Sequence, residues 1–180
     1  DGPRAFSQGE AAEAMVATLQ DAGSPMTLDA LAAFEPEWVE PISTSYRGYE
    51  VVEMPPNTQG PAVLLMANIV EGLPVADLGH ITGAGIHAWV ETKLQAFAHR
   101  DRYVADPRMV DPAVEQFLDK SVAARMREAI DMEQTSAAGG DFQDGDTIYL
   151  CVVDRDGMAV SLIQSVYNNF GSGVLAQGAG

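Results

Sequence analysis

The chain has 180 residues, 47% hydrophobic and 20% charged, which is enough for one domain with a buried core and unlike the composition of a disordered chain. Its 26 acidic residues against 10 basic ones give a formal net charge of −16, a field that repels polyanions and excludes nucleic acid and anionic membrane surfaces as partners. The single cysteine, Cys151, excludes an internal disulfide and a cysteine-based metal cluster, and its apolar neighbours predict a small buried hydrophobe in a strand. No run of about 20 apolar residues predicts a membrane span and no charged-then-apolar leader is visible, so the compartment stays open. The abrupt start at Asp1-Gly2-Pro3 and stop at Gly178-Ala179-Gly180 read as cuts from something longer.

In chain order, Ser7-Gln8-Gly9-Glu10 has the form of a capping box, and the helix it predicts carries Ala11, Met15, Val16, Ala17 and Leu19 on a broad apolar face and ends at Gly23. Thr27 is the expected cap of a short helix over 28–34. From Pro41 the period becomes two: Ile42 to Tyr46, the Arg47-Gly48 turn and Tyr49 to Met54 predict a β-hairpin, ended by Pro55-Pro56. A helix with Pro61 at its first position and an apolar run from Ala62 to Val70 should be buried all round. The long helix expected over 83–103 repeats Ile86, Trp89, Val90, Leu94, Phe97 and Ala98 as a core stripe. Asp106-Pro107 ends it, and Asp111-Pro112 caps a helix with charges from Glu115 to Glu128 on its solvent side.

The stretch of about 131–146 has almost nothing to bury and is expected to be a flexible linker. After it, Thr147 to Val153, an Asp154-Arg155-Asp156-Gly157 turn and Met158 to Ser165 predict a second hairpin, and Asn168 to Gly173 a further turn.

Most candidate chemistry has a plainer explanation. His80, His87 and His99 lack metal-helix spacing, Glu91 and Asp101 read as a solvated helix face, and Arg100-Asp101-Arg102 reads as local ion pairs. Gly83-Ala84-Gly85 lacks the strand and third glycine of a dinucleotide site, and neither a G-x-S-x-G elbow nor a P-loop occurs. No metal or cofactor is implied. Thr147 is left: it can be β-branched strand filler, or a nucleophile released by cleavage of the linker. A threonine hydroxyl needs a base, and a free α-amine titrating near ~8 is one. While the Asp146–Thr147 peptide is intact that nitrogen is an amide without basicity, so cleavage would switch activity on.

Blocks along nearly the whole chain resemble the γ-glutamyltransferase family of N-terminal-nucleophile hydrolases. They are Ala5-Phe6 with Gly9-Glu10-Ala11-Ala12, Met26 to Leu31, Pro41-Ile42-Ser43 with Tyr46 to Tyr49, Met54-Pro55-Pro56 with Gln59-Gly60, and Ala96 to Tyr103 with Ala105-Asp106-Pro107. The most specific is Gly145-Asp146-Thr147 with Val152-Val153-Asp154, Asp156-Gly157 and Ala159-Val160-Ser161.

The resemblance implies an α+β chain forming part of a four-layer αββα sandwich, cut by itself between Asp146 and Thr147. Residues 1–146 would be the C-terminal part of a large subunit and 147–180 the start of a small one, the two being partners from the same precursor. It further implies Thr147 as nucleophile, Ser165 where the family has a threonine touching the nucleophile's amine, and a small γ-glutamyl amide such as glutathione as substrate. Tyr167 falls where a substrate-binding asparagine stands, Tyr149 where a histidine is frequent, and Ser161 to Ser165 resembles a γ-glutamyltransferase-like branch. Other donor-binding and oxyanion groups would lie outside these residues, so the segment alone should be inactive. Two alternatives stay open: an amidohydrolase of the same family acting on another small amide or acyl side chain, and a non-catalytic acidic scaffold.

Overall fold

The computed structural model describes residues 4–136, 147–165 and 171–179. It mixes helix and sheet in two units, one of Asp1–Glu37 with Asp141–Gly180 and one of Trp38–Gly140.

The first unit opens with α1 (Arg4–Gln8) and α2 (Glu10–Asp21). The expected capping box is absent because the chain is already helical at Arg4, which puts Ser7 inside α1. Gly9 takes the N-cap position of α2, and a side chain there would meet the Ala5 carbonyl oxygen at 2.7 Å. α2 buries Ala12 and Val16 and closes in a Schellman pattern, with Ser24 N–H donating to Leu19 O at 2.9 Å and Gly23 N–H to Gln20 O at 2.9 Å. α3 (Leu28–Ala32) starts at Thr27 as expected, the Thr27 hydroxyl accepting from Ala30 N–H at 3.1 Å.

In the second unit β1 (Ile42–Tyr46) and β2 (Tyr49–Glu53) pair antiparallel, from Ile42↔Glu53 to Tyr46↔Tyr49. Arg47 and Gly48 both take positive φ, the two-residue turn that matches strand twist. α4 (Gly60–Val70) packs against both strands and the later helices, burying Ala62, Leu64, Leu65, Ile69 and Val70. Leu65 and Ile69 share a core cluster with Ala96, Phe117 and Ala123, and each large side chain in it contributes about 1.5–3 kcal/mol by leaving water. Asn68 is the polar exception: it accepts from the Thr44 hydroxyl at 2.7 Å and donates to the Phe117 carbonyl at 3.1 Å, joining β1 to the segment beyond α4.

α5 (Val75–Leu78) leads to α6 (Gly83–Tyr103), whose limits are those expected and whose cap is the Thr82 hydroxyl accepting from Gly85 N–H at 3.0 Å. The face it buries is not the expected one. Gly85, Ala88, Glu91, Thr92 and Ala96 are buried, whereas Ile86, Trp89 and Val90 are exposed. α6 lies along α4, and small side chains let two helices approach where Trp or Ile would hold them apart.

The helix expected over 115–128 is two helices, α7 (Val114–Leu118) and α8 (Lys120–Glu128). Asp111 accepts from Ala113 N–H at 2.9 Å, but Asp119 is what starts α8, leaving the helical region and accepting from Ser121 N–H at 2.7 Å. Lys120 then reaches Glu71 Oε2 at 2.6 Å and the Ser45 carbonyl at 2.5 Å, while Glu71 Oε1 accepts from Arg47 N–H at 2.8 Å. These bonds tie the first hairpin's turn to α8.

The chain returns to the first unit in β3 (Thr147–Val153) and β4 (Ala159–Ser165), paired antiparallel. Of the turn expected over Asn168 to Gly173, Gly171 and Gly173 have positive φ; residues 168–170 lie outside the described residues.

Candidate active site

Thr147 is the first residue of β3, and the ladder sets it opposite Ser165, the last residue of β4. Directly opposed positions of an antiparallel pair lie within about 5.5 Å Cα to Cα, so the backbone nitrogen of Thr147 and the residue at 165 are neighbours. The other two residues expected at the site, Asp146 and Tyr167, lie outside the described residues.

The hairpin is held at its far end by Asp154. Its Oδ1 accepts from the N–H groups of Asp156 and Met158, both at 2.9 Å, and Gly157 takes φ +85° where it was expected to. Tyr149 and Ser161 join across the strands, the serine hydroxyl donating to the tyrosine oxygen at 3.2 Å. Cys151 is exposed rather than buried, because β3 and β4 pair with each other and no described element covers either face.

In the second unit the arginine-rich end of α6 is structural. Arg100 pairs with Asp101 at 2.6 Å, donates to Gln59 Oε1 at 2.7 Å and lies 3.9 Å over the Phe97 ring. Asp106 is pulled down to about 2 by hydrogen bonds from Arg108 beside it, on the open surface. The histidines are spread over different surroundings: His80 is exposed, His87 Nε2 lies 2.7 Å from the Asp131 carbonyl, and His99 is wedged between Tyr103 and Phe117. Burial, and secondarily Arg102, holds the His99 imidazole below its usual pKa.

Glu91 departs furthest from the sequence reading. In place of a solvated charge it is 1% exposed, accepting from Thr135 Oγ1 at 2.6 Å, Ser136 N–H at 3.1 Å and Ser136 Oγ at 2.5 Å. Burial alone would raise its pKa, and the hydrogen bonds from Ser136 and Thr135, with His87 nearby, bring it below the ordinary value instead. Thus residues 131–136, at the start of the stretch read as linker, are hydrogen-bonded to α6, whereas 137–146 lie outside the described residues. No local signal marks Glu91, since its partners are 44 and 45 residues away.

All 180 residues match the family model described as Gamma-glutamyltranspeptidase. A Bacillus subtilis protein named Glutathione hydrolase-like YwrD proenzyme is 40% identical over 179 residues, 99% of this chain and 34% of its own length. The Oxamate amidohydrolase proenzyme of Klebsiella pneumoniae is 34% identical over 180 residues, covering all of this chain and 34% of that protein. Among solved structures, a cephalosporin acylase from Bacillus halodurans superposes with a TM-score of 0.79 and 39% identity over 98% of this chain and 32% of its own. The chain thus spans about a third of the length of the relatives it matches. With a match reaching from its first residue to its last, the chain belongs to the gamma-glutamyltranspeptidase family.

Proposed function

We propose that the protein containing this chain is a γ-glutamyl-transferring enzyme of that family, which cuts itself before Thr147 and then uses Thr147 as its nucleophile. The observation that carries the reading is the Thr147↔Ser165 pair. It sets a hydroxyl-bearing residue beside the nitrogen that becomes the α-amine, where it can orient the base that activates the threonine. In the cut, the Thr147 hydroxyl adds to the Asp146 carbonyl carbon, the C–N bond breaks, and the released amine takes the hydroxyl proton. Water then hydrolyses the ester, its hydroxyl going to Asp146 and its proton to Thr147. In turnover the same hydroxyl takes a γ-glutamyl group from an amide such as glutathione and passes it to water or an amine.

The matched relatives carry the word proenzyme in their names, which supports a precursor giving a large subunit through residue 146 and a small one from 147. The hairpin supports the four-layer αββα arrangement. Ile148, Leu150 and Val152 alternate with Tyr149, Cys151 and Val153, so both faces of β3 are apolar, as in strands covered by layers on either side.

A second reading keeps the nucleophile and changes the substrate to another small amide or acyl side chain. It is favoured by the likeness to an oxamate amidohydrolase and a cephalosporin acylase, and by Tyr149 and Tyr167 at the positions noted above. Intact mass spectrometry of the full-length parent tests the nucleophile. A fragment beginning Thr147-Ile148-Tyr149 is expected from the wild type and none from Thr147→Ala, and an uncut wild type sinks the reading in favour of a scaffold. Release of glutamate from glutathione, compared with ammonia from oxamate, separates the two substrate classes.

A further inference from the structure

We propose that Asp154 is a positioning residue for Thr147: the turn it closes fixes the strand register that sets position 147 opposite Ser165. The inference rests on the reading of Thr147 as nucleophile and concerns how that residue is placed.

Register in a hairpin is set by the hydrophobic pattern of the strands and by the geometry of the turn. Here the pattern discriminates little. Ile148, Leu150 and Val152 occupy one face of β3 and Tyr149, Cys151 and Val153 the other, while β4 carries Val160 and Leu162 on one face and Ala159 and Ile163 on the other. A slip of one residue therefore exchanges apolar side chains for apolar ones. It would also carry position 165 about 3.4 Å along its strand relative to position 147. A displacement of ~1 Å can cost on the order of 100-fold in rate, so such a slip matters to the chemistry far more than to the burial of the strands.

The turn, by contrast, is closely specified. Asp154 N–H donates to the Met158 carbonyl at 3.0 Å, and Gly157 N–H donates to the Asp154 carbonyl at 3.2 Å. The Asp154 carboxylate closes the same loop from within, its Oδ1 accepting from Asp156 N–H and Met158 N–H, both at 2.9 Å. Main chain and side chain of one residue thus define the loop 154–158, and the first rung beyond it is Val153↔Ala159. From there the ladder runs without a bulge to Thr147↔Ser165, so the choice made at the turn is the choice delivered at position 147. The bond between Ser161 and Tyr149 at 3.2 Å belongs to this register too, since a slip of one residue would put those side chains on opposite faces. It joins neutral groups, whereas the bonds to Oδ1 end on a carboxylate and are of a class roughly twice as strong. Asp154 therefore outweighs it.

The test uses the full-length precursor made by cell-free synthesis, with conversion to the chain beginning Thr147-Ile148-Tyr149 followed by intact mass spectrometry and thermal unfolding recorded for each variant. Asp154→Ala is expected to slow conversion about ten-fold. Asp154→Asn should restore it, because the amide oxygen can still accept both N–H groups. Gly157→Ala strains the same turn without removing a bond to Asp154 and should convert at the wild-type rate. Equal slowing in Gly157→Ala and Asp154→Ala at matched loss of Tm would mean that only stability is at work, and overturns the proposal. Ser161→Cys supplies a covalent substitute for the turn, since position 161 is directly opposite Cys151 at a separation a disulfide can span. In Asp154→Ala carrying Ser161→Cys, synthesis in an oxidising mixture should bring conversion back to near the wild-type rate, and synthesis under reducing conditions should leave it slow. Wild-type conversion in folded Asp154→Ala overturns the proposal, and so does slow conversion in the disulfide-locked form, because Asp154 would then act other than through register. Should Asp154→Ala not fold, the locked form decides alone, and its failure to fold or to convert overturns the proposal. An uncut wild-type precursor removes the reading of Thr147 instead. Register keeps its own readout in that case: the yield of the disulfide at Cys151, mapped by peptide mass, should fall when Asp154→Ala is added to Ser161→Cys, and an unchanged yield refutes the role of Asp154.

Discussion

The Asn68 side chain donates to the Phe117 carbonyl at 3.1 Å across 49 residues of sequence, with both residues buried. The same amide accepts from Thr44 at 2.7 Å, so one side chain satisfies groups on two other segments. Asn68→Ala leaves a hydroxyl and a carbonyl without that partner and is expected to cost about 3 kcal/mol. Urea unfolding of the parent protein checks it, with Asn68→Asp as a second variant that keeps the acceptor and loses the donor.

His99 should make the fold acid-sensitive. Its ring centroid lies 4.6 Å from Tyr103 and 4.7 Å from Phe117, and its Nε2 is buried without a hydrogen-bond partner among the described residues. The unfolded side chain titrates near 6.5 and the folded one lower, so the unfolded state binds more protons. Stability is therefore lost as pH falls from about 6.5 towards the lower, folded pKa. His99→Phe keeps the ring contacts and should remove this part of the pH dependence, read as Tm against pH.

Glu91 acts in a lower window. Its carboxyl is held below 4.5, so its contribution is fully present above that pH and is lost as pH falls through the folded value. Glu91→Gln, which carries no titrating group, should flatten the Tm profile below about pH 4.5 and leave the His99 step in place.

Ser165 is expected to matter to the chemistry more than to the fold. Ser165→Ala should lower both precursor conversion and turnover by about 10- to 100-fold, while Ser165→Thr retains them. Equal rates in the alanine variant would separate the Thr147↔Ser165 pairing from any role in activating the nucleophile.

Gly157 gives a local control. Nothing lies within 4 Å of where its Cβ would be, so Gly157→Ala introduces only the strain of φ +85°, about 1–2 kcal/mol. A loss of Tm near that size with normal precursor conversion is the expected result.

Features that depend on neighbours in sequence were legible. The Arg47-Gly48 turn, the Thr27 cap, the limits of α6 and the Gly157 turn each follow from a few adjacent residues, and the structure has them. Features that depend on which surface meets which were not. Size suggested that Ile86, Trp89 and Val90 face inward, whereas close approach of α4 and α6 selects Ala88, Thr92 and Ala96. Glu91 read as a solvated charge because its three donors sit on residues remote in sequence. Ser7 read as a cap because the helix-forming residues before it, Arg4 to Phe6, carry no start signal of their own. Of the residues expected at the site, the ladder places positions 147 and 165 opposite each other without testing their roles, and Asp146 and Tyr167 lie outside the described residues.

The hairpin of β3 and β4 has a consequence for timing. Among the described residues these two strands pair only with each other, an arrangement marginal in water, and they expose apolar side chains on both faces. On the proposed four-layer arrangement, the ladder that aligns Thr147 with Ser165 becomes rigid when the other layers fold over it. On the proposed chemistry, a newly made precursor is thereby kept whole through synthesis and early collapse, and the bond before Thr147 breaks as one of the last events of maturation.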